Sequence, residues 1–175
     1  MTISRNLSLV GTNASSNGTV NITSGTAVAS TSGTAIDFTG IPSWVKRITV
    51  MLNGVSTNGT SFPQIQIGAA AIVSTGYNCI SGALVTGITG ASSYTSGFVI
   101  RTASASSTLC YGTLVINLLT SNTWVASGVL VDTSDTRAIQ TAGSLVLGAT
   151  LDRVRVTTVN GTDTFDAGSV NILYE

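Results

Sequence analysis

Apolar and polar side chains alternate along every strongly patterned stretch of this sequence, and that period of two limits what the chain can fold into. In Lys46 to Leu52, Ile48, Val50 and Leu52 fall on one side, with Arg47, Thr49 and Met51 on the other. Ile65 and Ile67 oppose Gln64 and Gln66. Val154 and Val156 oppose Arg153, Arg155 and Thr157. Val170, Ile172 and Tyr174 oppose Ser169, Asn171 and Leu173. This is the pattern of strands with one face buried and one wet, which belong to antiparallel sheets. No segment sustains a 3.6-residue period with caps, and Pro42 to Val45 offers at most a short helical turn.

Many short strands separated by turn signals predict an all-β chain, an antiparallel β-sandwich that is jelly-roll-like. Its expected core is Ile36, Phe38, Ile48, Val50, Leu52, Ile65, Ile67, Val154, Val156, Val170 and Ile172. Asn17-Gly18, Asn53-Gly54, Asn58-Gly59 and Asn160-Gly161 read as turns, because Asn-Gly tolerates positive φ at both central positions. Residues 1–30 alternate weakly and are expected to form an outer strand or an arm. Residues 31–175 form the sandwich domain, with no linker dividing them.

Charge is scarce. Only 8% of the 175 residues are charged, seven basic and seven acidic, against about 25% in ordinary soluble domains. Ser and Thr fill 51 positions and must do the solvating that Lys and Glu usually do. With no net field to steer polyanions, no nucleic-acid partner is expected. Apolar runs are too short for a bilayer helix and no secretion signal is visible, so no membrane insertion is expected. The six Asn-x-Ser/Thr sequons read as chance in so hydroxyl-rich a chain.

Two segments, Thr113 to Thr120 and Thr123 to Asp132, are apolar on both sides. They read as central strands, or as strands whose outer face meets another subunit.

The chemistry of catalysis is thin. There is no His, Lys46 is the only Lys, and Glu175 is the only Glu, which removes Ser-His-Asp and Cys-His arrangements and most zinc sites. Asp132 with Asp135 and Asp163 with Asp166 share a spacing. Both pairs sit in turn-like sequence where Asp caps nearby amides, with a bound Ca²⁺ as the rival reading. Gly82 to Ala91 is glycine-rich but lacks the context and Lys of a phosphate loop. The expectation is therefore no enzyme, no cofactor and no metal. Cys79 and Cys110 are expected as buried, reduced thiols rather than a disulfide. Trp44, after Ile41-Pro42, is expected as a core plug, with a sugar platform as the alternative. Trp124 is expected in core or interface. Tyr77, Tyr94 and Tyr111 lie among Ser and Gly and are candidates for surface recognition.

Residues 33–61, "GTAIDFTGIPSWVKRITVMLNGVSTNGTS", read as strand, turn, strand and Asn-Gly corner. This stretch resembles a recurring module in virion proteins of tailed bacteriophages, and "GTDTFDAGSVNILYE" at 161–175 is similar to the module's closing strand. Together they cover about a quarter of the chain, and residues 68–97 fall where such proteins vary. The resemblance implies a β-sandwich with a virion structural role, assembled in the host cytoplasm, a homo-oligomer with a trimer favoured, and other virion proteins as partners. It transfers no catalytic residue. There is no room here for a long fibre shaft, so a tail-tip, collar or capsid-decoration subunit competes with a fibre. A host-surface glycan or receptor-binding module is the alternative.

Overall fold

The structure is a computed structural model that describes residues 22–86 and 88–175. Among the described residues are fourteen strands in two antiparallel sheets packed face to face. They are β1 (Thr23–Ser24), β2 (Val28–Ala29), β3 (Ala35–Thr39), β4 (Arg47–Thr57), β5 (Pro63–Ala69), β6 (Ala71–Ile72), β7 (Asn78–Val85), β8 (Ile88–Tyr94), β9 (Phe98–Val99), β10 (Cys110–Thr120), β11 (Thr123–Asp132), β12 (Arg137–Val146), β13 (Arg153–Thr158) and β14 (Phe165–Tyr174). The large sheet runs β1-β14-β4-β10-β11-β12-β7-β8, with β2 also on β14. The small sheet runs β3-β13-β5-β6, with β9 sharing β6's edge of β5.

From β3 onward the chain crosses repeatedly between the sheets, and β13 inserts between β3 and β5. This is jelly-roll winding, widened where β10, β11 and β12 form a three-strand meander between β4 and β7. The alternation read from the sequence places the core correctly. Ile36, Phe38, Ile65, Ile67, Val154 and Val156 of the small sheet are buried against Ile48, Val50, Leu52, Val170 and Ile172 of the large one, and all eleven belong to one apolar cluster. The cluster extends through Leu114, Ile116, Leu130 and Ile139 of the meander.

Hydroxyls work inside as well as outside. Ser81 on β7 and Thr141 on β12 are buried side by side, 2.8 Å apart, and Thr141 donates to the Val99 carbonyl at 2.8 Å. The Arg101 amide donates to Ser81 Oγ. These bonds fasten the segment around β9 over the wide sheet and satisfy polar atoms that burial would otherwise penalise.

Asn53-Gly54 is not a hairpin corner, as its sequence suggests. β4 continues through it to Thr57, and the strand bends there instead. Gly54 (φ 63°), Gly112 of β10 (φ 129°) and Gly168 of β14 (φ 91°) all have positive φ. They lie beside breaks in register between β4 and its two neighbours. The positive φ that Asn-Gly supplies is used in a bulge rather than a turn. At Gly168 a Cβ would lie 2.3 Å from the Gly54 carbonyl oxygen, so only glycine lets the two bent strands approach this closely. The bend folds Val55, Ser56 and Thr57 inward.

Residues 22–30 run as an outer strand segment against β14, joined by Gly25 N–H to Ile172 O and Ser30 N–H to Gly168 O. Residues 1–21 of the expected arm lie outside the described residues.

Candidate functional site

The three tyrosines do not form one surface. Tyr77, expected as exposed, is 1% exposed and belongs to the core. Its hydroxyl accepts the Ile67 N–H at 2.8 Å and lies 3.0 Å from the Val73 carbonyl. β9 pairs with one end of β5 and β6 with the other, and the phenol fills the gap between them like a missing strand residue. Its ring meets Phe98 edge-on at 5.0 Å. Burial raises the phenol's pKa well above its ordinary value. Tyr94 is half-buried against Phe62 and the core edge, and Tyr111 is half-buried on the opposite side of its sheet, beside Gly54.

Trp44 is also not where the sequence suggested. It is 48% exposed, with Tyr174 at 6.0 Å. The plug is made by its neighbours Ile41 and Val45, both buried, because the Pro42 turn closes with Val45 N–H to Pro42 O and turns Trp44 outward. Trp124 is buried in the core.

The acidic pairs are divided between turns. Asp132 is buried and accepts Ala103 N–H at 2.7 Å and Ser134 N–H at 3.0 Å, while Asp135 pairs with Arg137. Asp163 accepts Ser61 N–H at 2.9 Å and the Asn160 amide at 2.6 Å, and Asp166 is exposed. Both capping carboxylates are thus occupied by protein donors. No group of three or more His, Cys, Asp or Glu gathers among the described residues.

Cys79 and Cys110 are both free and buried. They sit on β7 and β10 with β12 and β11 between, roughly 14 Å apart across the strands, and the register sets Cys79 level with Ile116, about 20 Å along β10 from Cys110, far beyond disulfide reach. Burial pushes the Cys110 thiol up to about 12, with the Asp132 carboxylate adding to the effect, and burial raises Cys79 in the same direction.

The distribution of charge is the most distinctive surface feature. The outer face of the small sheet carries Asp37, Arg153 and Arg155. Arg155 grips Asp37 through two bonds of 2.7 Å, and Arg153, forked onto Asp152, holds that carboxyl below its ordinary range. The outer face of the large sheet is different. Outward positions on β10, β11, β12, β7 and β8 hold no charged residue at all.

Those positions carry Val, Ile, Leu, Ala and Gly among Ser, Thr, Asn and Gln. Val129 is 61% exposed and Val146 70%, with Ile80, Leu84, Leu119 and Val131 also well exposed. The register aligns Val129, Gln140, Gly82 and Ala91 in one row, and Ser127, Ala142, Ile80 and Ser93 in the next. Ala142 on β12 thus lies between the taller Val129 on β11 and Ile80 and Leu84 on β7, with Gly90 and Ala91 of β8 on β7's other side, forming an open groove of about 740 Å³. The sequence signal for this face was the two-sided apolarity of residues 113–120 and 123–132. What it missed was the contribution of Ile80 and Leu84, whose strand reads as Gly/Ser-rich. Comparisons with protein-family models, with curated proteins and with solved structures return no match.

Proposed function

We propose that this chain is a non-enzymatic structural subunit of a tailed-bacteriophage virion, exposed on the tail as a fibre, tip or collar component and assembled in the host cytoplasm. The observation that carries the assembly part is the charge-free outer face of the large sheet. An isolated domain keeps such a face small or studs it with charge, and a broad neutral one rimmed by polar residues marks a contact with protein. The virion assignment rests on the resemblance of residues 33–61 and 161–175 to phage virion modules. The capping carboxylates support the non-enzymatic reading, because Asp132 and Asp163 are consumed by backbone and amide donors.

Electron microscopy of intact particles labelled with an antibody to this chain tests the reading. Label at a fixed position on the tail supports it, and label on the head supports capsid decoration instead. Particles that contain no copy of the chain refute the virion role.

One observation favours the host-surface reading as a second. Trp44 stands half out of the surface beside Tyr174, with the Arg47–Glu175 ion pair close by in sequence and strand register. An exposed indole next to hydrogen-bonding charges is a workable platform for a sugar ring. Glycan-array binding that disappears in Trp44→Ala would establish it, and an empty array with the native protein would remove it.

A further inference from the structure

We infer that the outer face of β10, β11, β12 and β7 is covered by the same face of a second copy of this chain, the two related by a two-fold axis. This rests on the assembly reading above and names the partner.

Charge argues for a copy. A partner with Lys or Asp opposite this face would bury those charges with nothing to pair them, at heavy cost. The face itself offers the matching chemistry. Its polar groups are the amides of Asn and Gln and the hydroxyls of Ser and Thr, each both donor and acceptor, so copies of one another can satisfy them.

Relief argues the same way. Val129 and Val131 form a ridge on β11, and the floor beside Val131 on β12 is low at Ala138. A two-fold axis between β11 and β12, parallel to the strands, sets each copy's ridge into the other's floor. Four strands at about 4.8 Å spacing and four outward rows at about 6.8 Å span roughly 520 Å² per copy. A pair therefore buries on the order of 1,000 Å², the size a specific interface has to reach.

Symmetry argues for two rather than three. A ring joins two different patches head to tail, whereas a two-fold joins one patch to itself. Among the described residues the opposite face of the sandwich carries Asp37, Arg153 and Arg155, so it supplies no second patch of this kind.

Light scattering on the purified full chain at micromolar concentration tests the inference. The expected mass is twice the 17.7 kDa of one chain. Val129→Asp places two carboxylates near each other across the interface and should halve the mass with the circular dichroism spectrum unchanged, since Val129 is exposed in the single chain. Thr39→Asp, exposed on the small sheet's outer face, should leave the dimer intact. A native monomer, any other multiple, or an assembly that survives Val129→Asp overturns the proposal. A dimer in solution that is absent from particles would sink the virion role and leave the interface standing. Particles carrying single copies would do the reverse.

Discussion

Replacing Tyr77 by Phe removes one oxygen and leaves the ring where it packs on Phe98. The Ile67 N–H, on a fully buried residue, then loses the acceptor 2.8 Å away, and the Val73 carbonyl loses a donor at 3.0 Å. An orphaned buried donor costs about 1–3 kcal/mol. Taking about 2 kcal/mol, and about 2–4 °C per kcal/mol for a domain of this length, the melting temperature should fall by roughly 4–8 °C. Thermal unfolding followed by circular dichroism, repeated in urea, measures it. Tyr111→Phe is the control, its half-buried hydroxyl lying on the outer side of the sheet, and should shift the transition by about a degree or less, as surface changes do. If Tyr77→Phe also moves the transition by less than about a degree, the phenol does not complete the edge of β5 and the reasoning fails.

Four other outcomes are expected. Both thiols should resist a disulfide-exchange reagent in the folded protein and react fully in denaturant; rapid native reaction at either would contradict their burial. From neutral pH stability should be flat up to about pH 8.5, where an unfolded thiol ionises, and decline as pH rises through about 12, the folded value at Cys110, with Tyr77 adding loss in the same direction. Cys110→Ala should flatten that decline, and an alkaline profile identical to the parent's would refute its cause. Gly168→Ala should prevent native folding or cost several kcal/mol, since it combines positive φ with a Cβ driven into the Gly54 carbonyl. Asp37→Asn, by contrast, should cost less than about 1 kcal/mol because the Arg155 pair is exposed, and a larger loss in urea unfolding would show that the pair does more than geometry implies.

The strand core was readable because burial follows a local rule. Ile48, Val50 and Leu52 alternate whatever lies across the sandwich from them, and so do Ile65 with Ile67 and Val154 with Val156. What could not be read depended on partners distant in the chain. Asn53-Gly54 carries a turn signal, yet whether positive φ ends a strand or bends it is decided by Gly112 and Gly168, which bend beside it. Tyr77 has the neighbours of a surface residue, and only the gap left between β6 and β9 draws it inside. Trp44 was expected inside because it follows Ile41-Pro42 at a strand entrance. The geometry of the Pro42 turn hands that place to Ile41 and Val45. The candidate face was half legible, since periodicity reveals an apolar outer side on β10 and β11 but not which strands continue it laterally.

The position of β14 also sets an order of events during synthesis. It lies between β4 and the outer segments β1 and β2, so the strand made near the start of the sandwich waits for one made more than a hundred residues later. At about 5–20 residues per second, a ribosome leaves that edge of β4 unpaired for several seconds. Meanwhile β10, β11 and β12 can join as local hairpins and dock on β4's other side. The exposed edge in that interval is a template for pairing with any neighbouring nascent chain. Arg47, outward-facing at the start of β4, is the one charged residue within that strand, and it guards only one end. Crowded polysomes translating this message therefore face their greatest aggregation hazard just before residue 174 emerges. Slowing elongation over residues 140–164 should raise the insoluble fraction, while slowing it over residues 22–40, before β4 is made, should not.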